Sequence, residues 1–263
     1  MAAAQKSDIL RTKNLTVGYA TATGEHPIVS NISLELQKGQ FVGLIGINGS
    51  GKSTLIRTLS GLQNPLSGEI KIGEKLLQDI PMQELAQQLS VVLTDRSISK
   101  NLSVIELVSL GRQPYTNWLG TISDSDANTI EQALIATDCV TIKDKKCFEL
   151  SDGQLQRVLI ARALAQDTDL IVLDEPLSHL DLHHKAAILK LLKTIATEQQ
   201  KTILFSTHDI EHILSMCDTL LVLQKGDCIQ GTSQELIENK TLHALFPSEH
   251  IRFDDSTKRF TIE

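Results

Sequence analysis

Residues 46–54 (GINGSGKST) constrain the fold of this chain more than any other stretch. They fit the pattern G-x-x-x-x-G-K-[ST], and they follow a short apolar run, residues 41–45, that has the character of a strand. Apolar residues then recur at helical spacing through Leu55, Ile56, Leu59 and Leu62. The pattern predicts a strand, a glycine-rich loop and a helix in succession, which is the arrangement that binds phosphate groups.

The residue types of this loop suit a nucleotide better than they suit a plain glycine turn. Glycines let backbone N–H groups face an anion, and the N-terminus of the next helix adds free donors and positive partial charge. We expect Lys52 to bridge the terminal phosphates and the Ser53 hydroxyl to ligate Mg²⁺. The other predicted nucleotide-binding positions of the loop are Gly46, Asn48, Gly49, Ser50, Gly51 and Thr54.

Composition narrows the class of protein. A length of 263 residues suits one large α/β domain or two small ones. The net charge of −7 argues against nucleic acid as the main partner, because no basic surplus is present to neutralise phosphates. No apolar run approaches the ~20 residues of a bilayer span, and the first residues lack the apolar segment of a signal peptide. The four cysteines form no CxxC pair, which favours free thiols, so we expect a cytoplasmic protein.

The first third of the chain has mainly strand patterns. Residues 9–19 alternate as a strand, a turn-rich stretch follows at 21–27, and the alternation resumes at 32–36. We expect two antiparallel strands ahead of the phosphate loop, then a short strand at 69–72, a helical segment at 85–89 and a buried strand at 90–93. Tyr19 has two open roles, which are packing in the core or rim and stacking on a base.

Helical patterns dominate the middle of the chain. Residues 104–110 predict a helix that ends at GRQPY, residues 111–115. Ser123 and Asp126 form a capping box ahead of a helix that extends to Thr137. Another helix is predicted to begin at LSDGQ, residues 150–154, whose Ser- and Gly-containing start is a weak second candidate for an anion site.

Two buried strands in the last third end in polar groups. Residues 170–173 (LIVL) precede Asp174 and Glu175, at the strand end where open α/β sheets place ligands. Residues 202–206 precede His208, which can reach a ligand shared with the carboxylates. His208 and His212 have the i, i+4 spacing of a transition-metal pair, an alternative for which no third ligand is evident.

The remaining segments are assigned from periodicity. Strands are predicted at 219–223 and 227–230, and a hairpin at 251–262. Residues 182–197 predict an amphipathic helix. Its expected apolar face consists of Leu182, Ala186, Leu189, Leu192 and Ala196.

The motifs GINGSGKST, LSDGQ, LIVLDEP, SHLD and STHD, in this order, resemble those of the ATP-binding cassette (ABC) ATPases over essentially the whole chain. LSDGQ is similar to that family's signature, LSGGQ. Within the family, GRQPY and HLDLHH resemble the ATPase subunits of bacterial importers for iron-siderophores, haem or cobalamin. The resemblance implies an ATP hydrolase with ATP and Mg²⁺ as ligands.

The resemblance also implies a role for each motif residue. Tyr19 would stack on adenine, which favours the second of its two roles. Asp174 would hold Mg²⁺ through a water, Glu175 would polarise the attacking water, and His208 would contact the γ-phosphate, so that Glu175, His208 and Lys52 are the expected catalytic residues. The signature residues Ser151, Gly153 and Gln154 would bind the nucleotide held by an opposite subunit. Two chains would close head to tail around two ATP molecules, with Asp181 crossing the interface.

Two positions depart from the family pattern. Asp152 replaces the first glycine of the signature and adds a carboxylate near the phosphates, although the helix dipole would offset part of the repulsion. Thr94 stands where the family usually has a glutamine that reaches Mg²⁺ and links the site to the membrane partner. Asp95 could take that role if the loop is shifted by one residue.

The expected fold is an α/β phosphate-loop NTPase core with a mostly parallel sheet, an N-terminal antiparallel β-subdomain and an inserted helical subdomain. We expect a single domain over 8–263, with the core at 8–93 and 165–263 and the helical subdomain at 94–164. The expected partners are integral membrane permease subunits, a second ATPase copy and, through the permease, a substrate-binding protein. The chain itself is expected at the cytoplasmic face of the inner membrane, as a peripheral protein. The alternatives are a non-transport cassette ATPase of the assembly-scaffold or translation-factor type, and a regulatory nucleotide-binding module, against which Glu175 and His208 argue.

Overall fold

A computed structural model describes residues 8–22, 24–94, 99, 101–116, 120–246 and 250–262. Asp95, the alternative to Thr94, lies outside the described residues. In chain order the strands are β1 (Asp8–Thr21), β2 (Gly24–Ile32), β3 (Glu35–Gln37), β4 (Phe41–Gly46), β5 (Ser67–Ile72), β6 (Lys75–Leu76), β7 (Leu89–Val92), β8 (Leu170–Leu173), β9 (Thr202–Ser206), β10 (Thr219–Gln224), β11 (Asp227–Gly231), β12 (Ile251–Asp254) and β13 (Arg259–Ile262). The α-helices are α1 (Lys52–Leu59), α2 (Met82–Leu85), α3 (Val104–Ser109), α4 (Asp124–Ala136), α5 (Asp152–Ala165), α6 (Leu182–Glu198), α7 (Ile210–Ile213) and α8 (Ser233–Glu238).

The central sheet has the strand order β11-β10-β4-β9-β8-β7. The pairs β10–β4, β4–β9, β9–β8 and β8–β7 are parallel, and β11 joins antiparallel at one edge. The mostly parallel core is therefore confirmed. Because β4, β9 and β8 are parallel neighbours, their carboxyl ends meet at one edge of the sheet. That edge carries the phosphate loop, the carboxylate pair and the segment that contains His208.

A second, antiparallel sheet is built from the N-terminal third, with the order β2-β1-β5-β6 and β3 paired to β1. The expectation of two strands ahead of the phosphate loop is wrong, since β1, β2 and β3 all precede it. The predicted turn at 21–27 is also too long. Thr21 already pairs with Gly24, and the first four residues of β2 are exposed, so the strand begins without the apolar alternation that would have marked it.

The central sheet, which contains β4, separates two clusters of buried side chains. Phe41 and Ile45 point to one cluster, which includes α3, α4, α5 and α6, whereas Val42 and Leu44 point to the other, which includes α1 and the antiparallel sheet. This alternation is the period of two that a strand imposes. Both faces of β4 are buried, so the loop that follows it rises from a rigid strand.

The predicted helix starts are confirmed where a capping box marks them. Ser123 with Asp126 caps α4, and Ser151 with Gln154 caps α5. The helical segment expected at 85–89 is shorter, because α2 ends at Leu85 and Leu89 already pairs with Leu170 in β7. The motif GRQPY does end α3, but the chain continues as a 3₁₀ helix over Leu110–Tyr115.

The apolar face assigned to α6 is partly wrong. Leu182 is 64% exposed and Ala186 is exposed, while the buried face consists of Ile188, Leu189, Leu192, Ile195 and Ala196. The first turn of α6 therefore projects from the core. The strands at the end of the chain, β10 and β11, and the hairpin of β12 and β13 lie where they were expected.

The four cysteines are free thiols, of which Cys139 and Cys147 are buried. Burial raises the pKa of Cys228 to about 12. Within the described ranges, no helix combines the length and the apolar character that crossing a membrane requires.

Candidate functional site

The phosphate loop lies between the end of β4 and the start of α1. Gly49 and Gly51 have φ values of 80° and 101°, in the left-handed region that favours glycine. At Gly46, an added Cβ would lie 2.5 Å from Ser50 Oγ and 2.8 Å from the Leu223 carbonyl oxygen. The glycines of the motif are therefore required by backbone conformation and by close packing, and Asn48 and Gly49 at the tip of the loop are exposed.

Lys52 places a buried cation inside this loop. Lys52 is 5% exposed, and its Nζ donates hydrogen bonds to the Gly46 carbonyl at 2.9 Å and the Ile47 carbonyl at 3.4 Å. Burial lowers the pKa of Lys52, while the carboxylates of Glu175 and Asp174 act in the opposite direction. Among the described residues, the Lys52 ammonium donates its hydrogen bonds to carbonyl oxygens, and a buried cation bonded in this way is suited to an anionic ligand. The Ser50 hydroxyl, also buried, has no hydrogen-bond partner among the described residues.

The carboxylate pair is held by a residue of the neighbouring strand. Ser206, at the end of β9, donates through Oγ to Asp174 Oδ1 at 2.7 Å and accepts from the Glu175 backbone N–H at 2.8 Å. Asp174 is 6% exposed. Glu175 has φ 47°, an uncommon conformation for a residue with a side chain, and Ser206 and Ser178 fix it on both sides. The sequence reasoning did not identify Ser206 as a site residue.

His208 and Glu175 are brought together at this edge. His208 Nδ1 lies 3.8 Å from Glu175 Oε2, which also accepts a hydrogen bond from Ser178 Oγ at 2.8 Å. The His208 side chain is 48% exposed, so it is accessible to a ligand. No group of three or more His, Cys, Asp or Glu side chains suited to a metal occurs among the described residues, at His208 and His212 or elsewhere.

Mg²⁺ fits the oxygen groups that the site offers. The Asp174 carboxylate and the Ser53 hydroxyl are hard ligands of the kind that Mg²⁺ prefers. A site with few protein ligands is typical of this ion, which keeps several waters and binds substrate phosphates.

Thr94 is tied to the carboxylate segment through the backbone. Its Oγ1 donates to the Asp174 carbonyl oxygen at 3.1 Å. The side chain therefore has a local partner and does not extend further along the edge of the sheet.

Tyr19 lies beside the phosphate loop and outside the core. Tyr19 is 51% exposed, and its hydroxyl is 3.1 Å from Thr54 Oγ1 in the first turn of α1. Exposure argues against core packing, and the contact with Thr54 places the ring next to the nucleotide-binding motif. This geometry suits a stacking platform.

The signature turn forms a separate group. Ser151 Oγ accepts from the Gln154 N–H at 3.3 Å, and the Gln154 side-chain oxygen accepts from the Ser151 N–H at 3.1 Å. The predicted ligand Gln154 is thus engaged in the capping box of α5. Ser151 is exposed, whereas Gly153 is buried against His184 of α6.

Comparisons with known proteins agree with this geometry. The family model described as ABC transporter matches residues 29–178. The petrobactin import ATP-binding protein FpuD of Bacillus anthracis is 36% identical over 91% of this chain and 87% of its own length. The iron(3+)-hydroxamate import ATP-binding protein FhuC of Bacillus subtilis is 35% identical over 90% of this chain and 87% of its own length.

Comparison with solved structures also finds similarity to ABC transporters and their ATP-binding cassettes. An inward-facing transporter described as of the metal-chelate type has a chain that superposes with a TM-score of 0.80, at 29% identity over 94% of this chain and 90% of that chain. A dimeric ATP-binding cassette in a post-hydrolysis state, bound to ADP and Pi, superposes with a TM-score of 0.74, at 28% identity over 85% of this chain and 98% of that chain. On its fold, its phosphate loop and these relatives, the chain belongs to the ABC transporter family, in which it is an ATP-binding and ATP-hydrolysing subunit.

Proposed function

We propose that this chain powers the import of an iron-siderophore, or of a related chelate such as haem or cobalamin, through a separate membrane permease. The observation that carries the catalytic part is the single group formed by Asp174, Glu175, Ser206 and His208 beside the phosphate loop. The import part is supported by relatives named as petrobactin and iron(3+)-hydroxamate import ATP-binding proteins. The chain would lie at the cytoplasmic face of the inner membrane.

In this proposal the phosphate loop and Lys52 bind and orient the phosphates of ATP, and Tyr19 stacks on the base. Asp174 and Ser53 would hold Mg²⁺, which when bound would neutralise the phosphate charge. Glu175 orients and polarises the attacking water, and His208 donates to the γ-phosphate. Phosphoryl transfer requires mainly such positioning and electrostatic stabilisation, so no covalent intermediate on the protein is needed.

The signature turn would serve the nucleotide of a second copy. Exposed Ser151 and the first turn of α5 offer a hydroxyl and helix N-terminal donors to a γ-phosphate. Head-to-tail closure of two copies, with Asp181 at the interface, would exclude water and strengthen these contacts. We assign residues 8–263 to one domain, with residues 94–164 as the helical subdomain inserted in the core.

The first test concerns Glu175. Glu175→Gln keeps the size of the side chain but removes the charge that activates water. We expect the variant to hold Mg-ATP without hydrolysing it and to elute from gel filtration as a dimer, whereas the wild-type protein hydrolyses ATP and returns to monomer. A variant that stays monomeric with Mg-ATP and turns over at the wild-type rate would contradict both the role of Glu175 and the closed dimer.

The second test concerns transport. We expect the tagged native chain to co-purify from detergent-solubilised membranes with a polytopic membrane protein, in two copies per complex. Cells carrying Glu175→Gln in place of the native chain should lose uptake of one labelled chelate among iron-siderophores, haem and cobalamin. Recovery wholly in the soluble fraction, with ribosomes or a cytosolic scaffold, would favour the non-transport alternative.

A further inference from the structure

A histidine outside the nucleotide site, His184, is held by the N-cap of its own helix. Asp181 caps α6, and its Oδ1 accepts from the His184 backbone N–H at 2.9 Å and lies 2.8 Å from His184 Nδ1. Hydrogen bonds from the His184 backbone and ring lower the pKa of Asp181. An ionised carboxylate only accepts hydrogen bonds, so the hydrogen of this bond is on Nδ1, which donates to Asp181 Oδ1.

The same imidazole lies against the signature turn. An added Cβ on Gly153 would lie 2.4 Å from His184 Cδ2, 3.0 Å from Cγ and 3.1 Å from Nε2. The ring therefore occupies the space that a side chain at position 153 would need. Gly153 is buried although its neighbours Ser151 and Asp152 are exposed.

The residue after His184 ties this turn of α6 to the segment that carries His208. Lys185 Nζ lies 2.8 Å from Asp209 Oδ2, and the two side chains are only 21% and 18% exposed. The first turn of α6 thus contacts the signature turn through His184 and the residue that follows His208 through Lys185.

We propose that His184 is a positioning residue. It couples the signature turn, residues 150–154, to the loop that ends at Asp181, residues 178–181, within one subunit. The inference rests on the proposed function, in which the signature turn binds the nucleotide of the opposite copy and Asp181 lies at the interface between the copies. A flat ring can lie against a glycine while its Nδ1–H donates to a carboxylate. His184 therefore makes the two segments move as one unit when two copies close, and it touches neither ATP nor the reacting atoms.

Variants of His184 separate its two contacts. His184→Asn keeps a donor near the Nδ1 position without the ring, His184→Phe keeps a ring against Gly153 without the donor, and His184→Ala removes both. The matched control is His183→Ala, which removes an exposed neighbouring histidine whose ring meets that of His184 only edge-on, with centroids 5.6 Å apart.

The measurements are steady-state hydrolysis against ATP concentration and the ATP affinity of the monomer by calorimetry. We expect His184→Ala to lower kcat at least fivefold while monomer affinity changes less than twofold, with His184→Asn and His184→Phe in between. His183→Ala should change neither value more than twofold. A fall of affinity and kcat together, or an unchanged kcat in His184→Ala, would overturn the positioning role.

A double-mutant cycle tests the contact itself. Gly153→Ala should lower turnover on its own, partly because its methyl group displaces the His184 ring. In the His184→Ala background the same substitution should cost at least threefold less, since the ring is absent. Additive effects would show that the ring and the glycine are not coupled.

Dimer formation separates this inference from the function on which it rests. In the Glu175→Gln background with Mg-ATP, we expect His184→Ala to lower the dimer fraction at equal protein concentration. Equal dimer fractions with and without His184 would overturn the inference alone. A Glu175→Gln protein that never dimerises would overturn the proposed closed dimer and the inference together.

Discussion

At the scale of single residues, Thr94 is one of the two positions, with Asp152, at which the motifs of this chain depart from those of the family that they resemble. Its hydroxyl donates to the Asp174 carbonyl, 3.1 Å away. A glutamine has three side-chain torsions and a carbonyl that could extend towards the metal and the attacking water. Threonine ends one atom beyond Cβ, and in the structure its hydroxyl binds the backbone of Asp174. We therefore propose that it leaves one polar contact to the reacting groups unmade.

We expect Thr94→Gln to raise the turnover of the isolated subunit severalfold and to leave ATP affinity nearly unchanged. The restored contact should contribute about 1 kcal/mol of transition-state stabilisation, which is the usual net value of one polar contact. Steady-state hydrolysis and calorimetry on both proteins measure the two quantities. The control is Thr94→Gln combined with Glu175→Gln, which should be inactive. A rate that is unchanged or lower would make Asp95 the next residue to mutate.

A second prediction concerns Lys52, whose buried ammonium lies against the Gly46 carbonyl. In the proposed function Lys52 makes the main cationic contact to the β- and γ-phosphates, so we expect Lys52→Ala to lower ATP affinity at least tenfold, or about 1.4 kcal/mol. Titration calorimetry measures the change. Lys190→Ala, which removes an exposed lysine of α6, should bind ATP as the wild-type chain does. Equal affinities in the two variants would contradict the assigned role of Lys52.

The candidate site was predictable where its residues belong to short motifs of consecutive residues. The phosphate loop, Asp174 with Glu175, and His208 follow from motifs that each end a strand. Ser206 was missed because its role depends on the register of two strands, in which Leu173 lies opposite Phe205. A serine at a strand end carries no such information. Tyr19 stayed ambiguous because its exposure and its contact with Thr54 depend on how β1 packs beside α1.

At the scale of elements, the GRQPY segment joins parts of the chain that are distant in sequence. Arg112 Nε donates to Asp126 Oδ1 of α4 at 2.7 Å, and its Nη1 donates to the carbonyl of Ala165 in α5 at 2.9 Å. Its guanidinium lies 4.0 Å from the centre of the Tyr115 ring. The arginine is 7% exposed, so this is a buried ion pair that fixes α4 against the end of α5.

We expect Arg112→Ala to lower the free energy of unfolding by about 3–5 kcal/mol, because it leaves the buried Asp126 carboxylate without its cation. The matched control is Arg157→Ala, whose partner Asp138 has a side chain that is 86% exposed. That variant should lose only about 0–1 kcal/mol. Guanidinium unfolding followed by circular dichroism gives both values. Equal losses would show that the Arg112 pair contributes no more than a surface pair.

Elements were predictable where local chemistry sets their limits. The capping box at Ser123 predicted the start of α4 correctly, since its hydrogen bonds span only three residues. The start of α5, predicted at LSDGQ, also lies where it was expected, and the structure shows that Ser151 and Gln154 form a capping box there. Periodicity failed at Leu182 in α6, because spacing does not show where a helix leaves the core. It failed again at β2, whose exposed first residues are held by pairing with β1.

At the scale of the whole molecule, one buried cluster extends from the helical segments through the central sheet to the C-terminal hairpin. It contains Val104 of α3, Phe205 of β9 and Phe253 of β12. The hairpin is also tied to α7, since the Phe260 N–H donates to Glu211 Oε1 at 2.9 Å. The last strands are therefore continuous with the core of the cassette.

The last prediction tests this continuity. Phe253 is 6% exposed, and its ring lies edge-on to the rings of His243 and Phe260, with centroids 5.4 and 5.0 Å apart. Truncating such a buried ring typically costs about 3–5 kcal/mol, so Phe253→Ala should shift the unfolding of the entire chain. We expect one cooperative transition at lower guanidinium concentration.

The control in the same hairpin is Ile262→Ala, at a residue that is 86% exposed, and it should change stability by less than about 0.5 kcal/mol. If Phe253→Ala left the main transition in place and produced a separate early one, the hairpin would be an independently folding appendage. A single shifted transition would mean that the hairpin unfolds together with the core of the cassette, as its packed side chains predict.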